Sequence, residues 1–126
     1  IEIFCHKSFA YIQCLCKIYE QIHKKDLGIN LSQYYDTDFG KTLLCICQFA
    51  VDPIKFYCGI LREGIESKNI YKVMRLIVTR CEIDLKLVLQ EYGCTYNHDL
   101  IIDISSNFSF KYKEVTYALL MLLELK

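Results

Sequence analysis

Leu76-Ile77-Val78-Thr79-Arg80-Cys81-Glu82-Ile83-Asp84-Leu85, followed by Gln90-Glu91-Tyr92 and His98-Asp99-Leu100, is the stretch that decides the fold. Leu85, Val88, Leu89 and Tyr92 stand at i, i+3, i+4 and i+7, the spacing of one buried helix face. The same pattern lies 73 positions earlier as Ile12, Leu15, Cys16 and Tyr19, and Lys25-Asp26-Leu27 falls on His98-Asp99-Leu100. Further on, Thr42, Cys45, Ile46 and Phe49 map by the same shift onto Val115, Ala118, Leu119 and Leu122. A repeat at this period means two units built from the same helices in the same order.

Composition agrees with a packed helical body. Apolar residues make up 53% of the 126, with one proline and five glycines. The 15 basic and 15 acidic residues cancel and are interspersed, which excludes the broad positive field of a nucleic-acid binder. No uncharged run exceeds about ten residues, against the 18 to 20 that span a bilayer, so no transmembrane segment is expected. The eight cysteines sit mostly at apolar helical positions, where a thiol acts as a small hydrophobe, and this favours a reduced, cytoplasmic protein. Cys14 and Cys16, like Cys45 and Cys47, are two apart and project to opposite sides of a helix, which suits packing better than zinc. The three histidines stand in no defensible nucleophile spacing, so the chain is not expected to be an enzyme. It opens at Ile1, without methionine, in what reads as a helix end, and is expected to be a piece of a longer protein.

About eight helices are expected, separated by short polar joints. Ser8 caps the first, to about Gln21, and the next runs from about Lys24 to Tyr34. Asp36-Thr37-Asp38 provides caps and first-turn acids for a helix to Ala50. Asp52-Pro53, a cap followed by proline at the first helical position, opens a helix to about Glu63. The remaining helices run from about Lys68 to Thr79, Cys81 to Tyr92, Asn97 to Ser105 and Ser109 to Leu123. Residues 52–126 thus hold a complete five-helix unit, whereas residues 1–51 show its last three helices and a remnant at Ile3 and Phe4.

The Arg80-x-Glu82-Ile83-Asp84-Leu85 stretch, the Asp99-Leu100 pair and the 73-residue echo together resemble the annexin repeat. The resemblance covers the whole chain, as the end of the third repeat and all of the fourth. It implies an all-α fold of five-helix repeats wound in a right-handed superhelix. It also implies peripheral, calcium-dependent attachment to anionic phospholipid on the cytoplasmic face of membranes. In that family calcium takes carbonyl oxygens from a Gly-x-Gly-Thr loop between the first two helices of a repeat, and a carboxylate about 40 residues downstream.

This sequence departs from that pattern at nearly every ligand position. The corresponding loop is Arg62-Glu63-Gly64-Ile65-Glu66-Ser67-Lys68, in which only Gly64 survives and Glu66 or Ser67 replaces the second glycine. The downstream acid aligns with Asn107, or with Phe110 if the last helix is shifted by a turn, and neither is charged. Gly64, Ile65, Glu66 and Ser67 with Asn107 are therefore a degenerate calcium loop, with calcium expected to be weak or absent. In the earlier unit the acid position is Tyr34, and Asp36 and Asp38 are read as helix caps. The resemblance further implies a structural ion pair between Arg80 and Asp99, echoed by Lys7 and Asp26. Partners expected are an anionic phospholipid surface or proteins. The second function kept open is a calcium-independent helical scaffold or protein-interaction module, using exposed groups such as Lys68, Tyr71, Lys72 and Tyr112.

Overall fold

The computed structural model describes residues 2–125, so the expectation placed on Ile1, a chain opening in a helix end, lies outside the described residues. Among those residues every regular element is a helix, and there are nine. They are α1 (Glu2–His6), α2 (Phe9–His23), α3 (Leu27–Tyr34), α4 (Asp38–Val51), α5 (Pro53–Glu66), α6 (Ile70–Arg80), α7 (Leu85–Tyr96), α8 (Leu100–Phe108) and α9 (Lys113–Glu124). The chain is all-α, and the helix beyond the expected eight is α1, where the sequence shows only the Ile3–Phe4 remnant.

Short polar side chains fix where the helices start. Ser8 Oγ accepts from the Tyr11 N–H at 3.2 Å, Asp26 from Ile29 at 2.9 Å and Asp99 from Ile101 at 2.8 Å. Asp52 accepts from Lys55 at 3.2 Å ahead of the Pro53 turn, and Asn69 from Lys72 at 3.4 Å. Each such cap satisfies an orphan N–H and stabilises by about 1 kcal/mol. Thr37 occupies the cap position of α4 without a side-chain bond, and Asp38 is its first-turn acid.

Several boundaries differ from the sequence reading: α3 starts at Leu27 rather than Lys24, α7 ends at Tyr96 rather than Tyr92, α8 runs Leu100–Phe108 rather than Asn97–Ser105, and α9 starts at Lys113 rather than Ser109. Two more bear on the site. Helix α7 starts at Leu85 rather than Cys81, because residues 81–84 form a turn in which Asp84 N–H reaches Arg80 O. Helix α5 continues to Glu66 rather than Glu63, since its buried stripe of Cys58, Leu61 and Ile65 carries the helix one turn further.

The chain forms two compact units, residues 1–56 and 57–126, divided within α5. In the first, Ile12 and Cys16 of α2 pack with Cys47 and Ala50 of α4, and Phe4, Leu27 and Ile46 close around them. In the second, Leu61 and Ile65 of α5, Val73 and Ile77 of α6, Val88 and Tyr92 of α7, Ile104 and Phe108 of α8, and Leu119 and Leu123 of α9 are all buried. Each such aliphatic or aromatic side chain contributes roughly 1.5–3 kcal/mol on leaving water. Cys16 and Cys47 share a hydrogen bond, and burial pushes both thiols up, Cys47 to about 12. Cys14 and Cys45 are exposed, on the opposite helix faces.

Candidate functional site

The degenerate loop is a tight two-residue turn. Gly64, Ile65 and Glu66 belong to α5, so they are helix where the resemblance implies a loop; only Ser67 and Lys68 lie between α5 and the cap of α6. Lys68 takes the left-handed conformation, φ 58°. Its N–H bonds to Ile65 O at 3.2 Å and the Asn69 N–H to Gly64 O at 2.8 Å. These two bonds are a Schellman closure, the usual way a helix satisfies its last carbonyls. The Glu63 carbonyl accepts from both the Ser67 N–H at 2.9 Å and Ser67 Oγ at 2.7 Å.

Gly64 serves packing, not loop freedom. No glycine here has positive φ, and a Cβ on Gly64 would stand 2.9 Å from Val73 Cγ2 and 3.3 Å from Lys72 Cβ. The missing side chain lets α5 and α6 approach closely.

The side-chain oxygens around the turn are engaged by cations of the same chain. Arg62 Nε holds Glu66 Oε1 at 2.9 Å, Lys72 Nζ holds Glu63 Oε1 at 2.7 Å, and Lys68 Nζ donates to Asn107 Oδ1. Asn107 also donates through Nδ2 to Asp103 O, one turn back along α8, at 2.7 Å.

Beneath the turn lies a polar cluster that the sequence reading missed. Asp103 of α8 is buried; its Oδ2 accepts from Tyr92 Oη at 2.7 Å and from Arg62 at 3.4 Å, and its Oδ1 meets His98 Nδ1 at 3.2 Å. Arg62 also lies 5.4 Å from the Tyr96 ring centre. Burial, then the bond to Asp103, pushes the Tyr92 phenol up to about 12, so it stays a neutral donor. The signal available in sequence was an aspartate in the apolar run Leu100–Ile104, on the same helical face as Leu100 and Ile104.

Arg80 and Asp99 are not brought together. Arg80 forms a two-point pair with Asp84, Nε to Oδ1 at 2.9 Å and a terminal nitrogen to Oδ2 at 2.6 Å, and lies over the Tyr57 ring at 4.8 Å. Asp99 spends its carboxylate on the start of α8. The Arg80–Asp84 bonds hold the aspartate below the usual carboxylate range and raise the arginine further. The i, i+4 spacing of Arg80 and Asp84 was the legible signal.

Residues 59–119, the body of the second unit, match the annexin family model. Curated relatives extend the likeness over nearly the whole chain. Annexin D5 of Arabidopsis thaliana is 25% identical across 95% of this chain and 39% of its own length. Annexin A10 of Homo sapiens is 25% identical across 93% and 37%. Annexin D3 of Arabidopsis thaliana is 32% identical across 91% and 40%.

The chain belongs to the annexin family. It spans between about a quarter and two fifths of the length of the curated relatives it matches. No solved structure matches at the same significance.

The calcium that the annexin family implies does not fit the residues of this turn. The carbonyls of Gly64 and Ile65 close the helix end, Lys68 brings a positive charge to the turn, and Asn107 offers a neutral amide where the family has an acid. Among the described residues no group of three or more His, Cys, Asp or Glu is placed to hold a metal. Likewise, among them no helix is long and apolar enough to cross a membrane.

Proposed function

We propose that this chain is part of an annexin-type peripheral membrane protein that attaches to anionic phospholipid from the cytoplasmic side. It acts by binding, without catalysis. In this reading residues 1–51 are the end of one annexin repeat and residues 52–126 a whole one. The present segment works without calcium, and any calcium-dependent step belongs to other repeats of the full-length protein. The observation that carries this is the α5–α6 turn, whose carbonyls are turned into the helix end by the Lys68 and Asn69 N–H groups. A hard cation needing six to eight oxygens finds too few there. The exposed surface beside the turn has Lys68, Tyr71 and Lys72, a basic and aromatic set suited to a headgroup layer.

The test is co-sedimentation of the folded chain with phosphatidylserine vesicles and with neutral phosphatidylcholine vesicles, across a calcium series with a chelator control. Pelleting with the anionic vesicles that is indifferent to calcium and weakened by salt is expected. Pelleting that requires calcium would overturn the calcium-free reading. No pelleting under any condition would overturn lipid attachment by this segment and favour a protein-binding scaffold.

A further inference from the structure

We infer that Lys68 is a tethered cation: its ammonium group, held by Asn107, stands in for the metal that would otherwise join the α5–α6 turn to the end of α8. The inference rests on the calcium-free reading above and adds a second cause to the bonded carbonyls of the turn. Three observations meet at this point. Lys68 occupies the left-handed position of the turn, φ 58°, which directs this one lysine out of the helix end. Its Nζ donates to Asn107 Oδ1, 39 residues away in sequence, at the position that aligns with the family's downstream acid. Asn107 is oriented for this by its own Nδ2, bonded at 2.7 Å to Asp103 O.

The two residues therefore do the geometric work of a bridging ion with the cation attached to the chain. A lysine ammonium has three donors and no acceptor, so it satisfies an amide oxygen directly and needs no release of hydration water from a divalent ion. It also repels a second cation. At about 4 Å in water a unit charge opposes a divalent ion enough to lower its affinity about tenfold to thirtyfold, before any loss of ligands is counted. Restoring the acid alone would not restore the metal, because the ammonium would pair with the new carboxylate first. This consequence separates a tethered cation from a merely eroded site.

The full 126-residue chain is compared as wild type, Asn107→Asp, Lys68→Gln/Asn107→Asp and Lys68→Arg/Asn107→Asp. Glutamine is chosen over glycine so that the left-handed backbone position keeps a side chain and its strain is not relieved. Lys68 is exposed and Asn107 half-buried, and retained helical circular dichroism confirms folding of each variant before use. Calcium binding is read by calorimetry and by the shift of the melting temperature with calcium against a chelator. Because the Gly64 and Ile65 carbonyls stay bonded in the helix end, the expected result is a weak calcium-dependent shift at about millimolar calcium in Lys68→Gln/Asn107→Asp, with affinity at least about tenfold above Asn107→Asp, and none in the arginine double variant. Equal calcium responses in Asn107→Asp and Lys68→Gln/Asn107→Asp would overturn the tethered cation. So would the absence of any response in Lys68→Gln/Asn107→Asp. A calcium response in the wild type would instead overturn the calcium-free reading on which the inference rests.

Discussion

The 73-residue shift superposes two hydrogen bonds of different strength. In the first unit Tyr19 Oη accepts from Asn30 Nδ2 at 2.9 Å, with both residues half-buried. In the second the corresponding residues are Tyr92 and Asp103, at 2.7 Å; the pair is buried and joined by Arg62 and His98. The aromatic beneath is also replaced in register: Tyr19 stacks on His23, and Tyr92 on Tyr96. One helix-to-helix bridge thus exists as a neutral amide version near solvent and as a charged version under cover. The difference shows that the repeat preserves a joint between its helices while the chemistry follows burial. A carboxylate is retained only where an arginine and a phenol supply its donors.

The comparison breaks most visibly at the acid itself. Asp103→Ala leaves the Tyr92 hydroxyl and Arg62 without their acceptor and is expected to destabilise by about 2–3 kcal/mol, discounted because Arg62 is partly exposed. Asn30→Ala is expected to remain at or under about 1 kcal/mol. Urea unfolding of both variants checks this, and equal losses would mean that burial does not separate the two bridges.

Alkaline pH tests the same bridge without a change of shape. The Tyr92 phenol is raised in the folded state to about 12 from an ordinary value of 10.0. Its contribution is therefore complete below pH 10 and is lost as pH rises from about 10 towards 12, a change of about 2–3 kcal/mol if the shift is fully expressed. Tyr92→Phe should flatten the fall in stability across that window, as read by urea unfolding at stepped alkaline pH beside the parent chain. The smallest expected effect is at the helix ends. Arg80→Ala removes the Asp84 pair and the Tyr57 contact and should cost about 1 kcal/mol or slightly more; Lys7→Ala, whose ammonium lies over the exposed Tyr11 ring at 5.4 Å, about 0.5 kcal/mol or less. Thermal melts rank the two, and an inverted order would sink the register drawn between Lys7 and Arg80.

Much of the fold was legible because helix faces and caps are local. The stripe Ile12, Leu15, Cys16, Tyr19, its copy at Leu85 to Tyr92, and the capping aspartates at 26, 52 and 99 follow from spacing alone. The candidate site was legible in its composition but not in its conformation. Gly64 looks like a loop glycine by type, yet the stripe through Cys58, Leu61 and Ile65 makes it helical, and its open side is filled by Val73. The link from Lys68 to Asn107 depends on how α6 and α8 fold back, which no periodicity encodes. The pairing of Arg80 with Asp99 failed for a simpler reason, since Asp84 is one helical turn away and Asp99 is needed where α8 begins.

The buried cysteines give the chain a set of internal clocks. Cys16 and Cys47 lie in the core of the first unit and Cys58 in that of the second, while Cys5, Cys14, Cys45 and Cys94 face solvent. Alkylation needs the thiolate, so the protected thiols react only when their own unit opens. A timed exposure to iodoacetamide, followed by peptide mass mapping, should therefore mark the solvent-facing positions at once and afterwards report the opening rate of each unit separately, with no label engineered in.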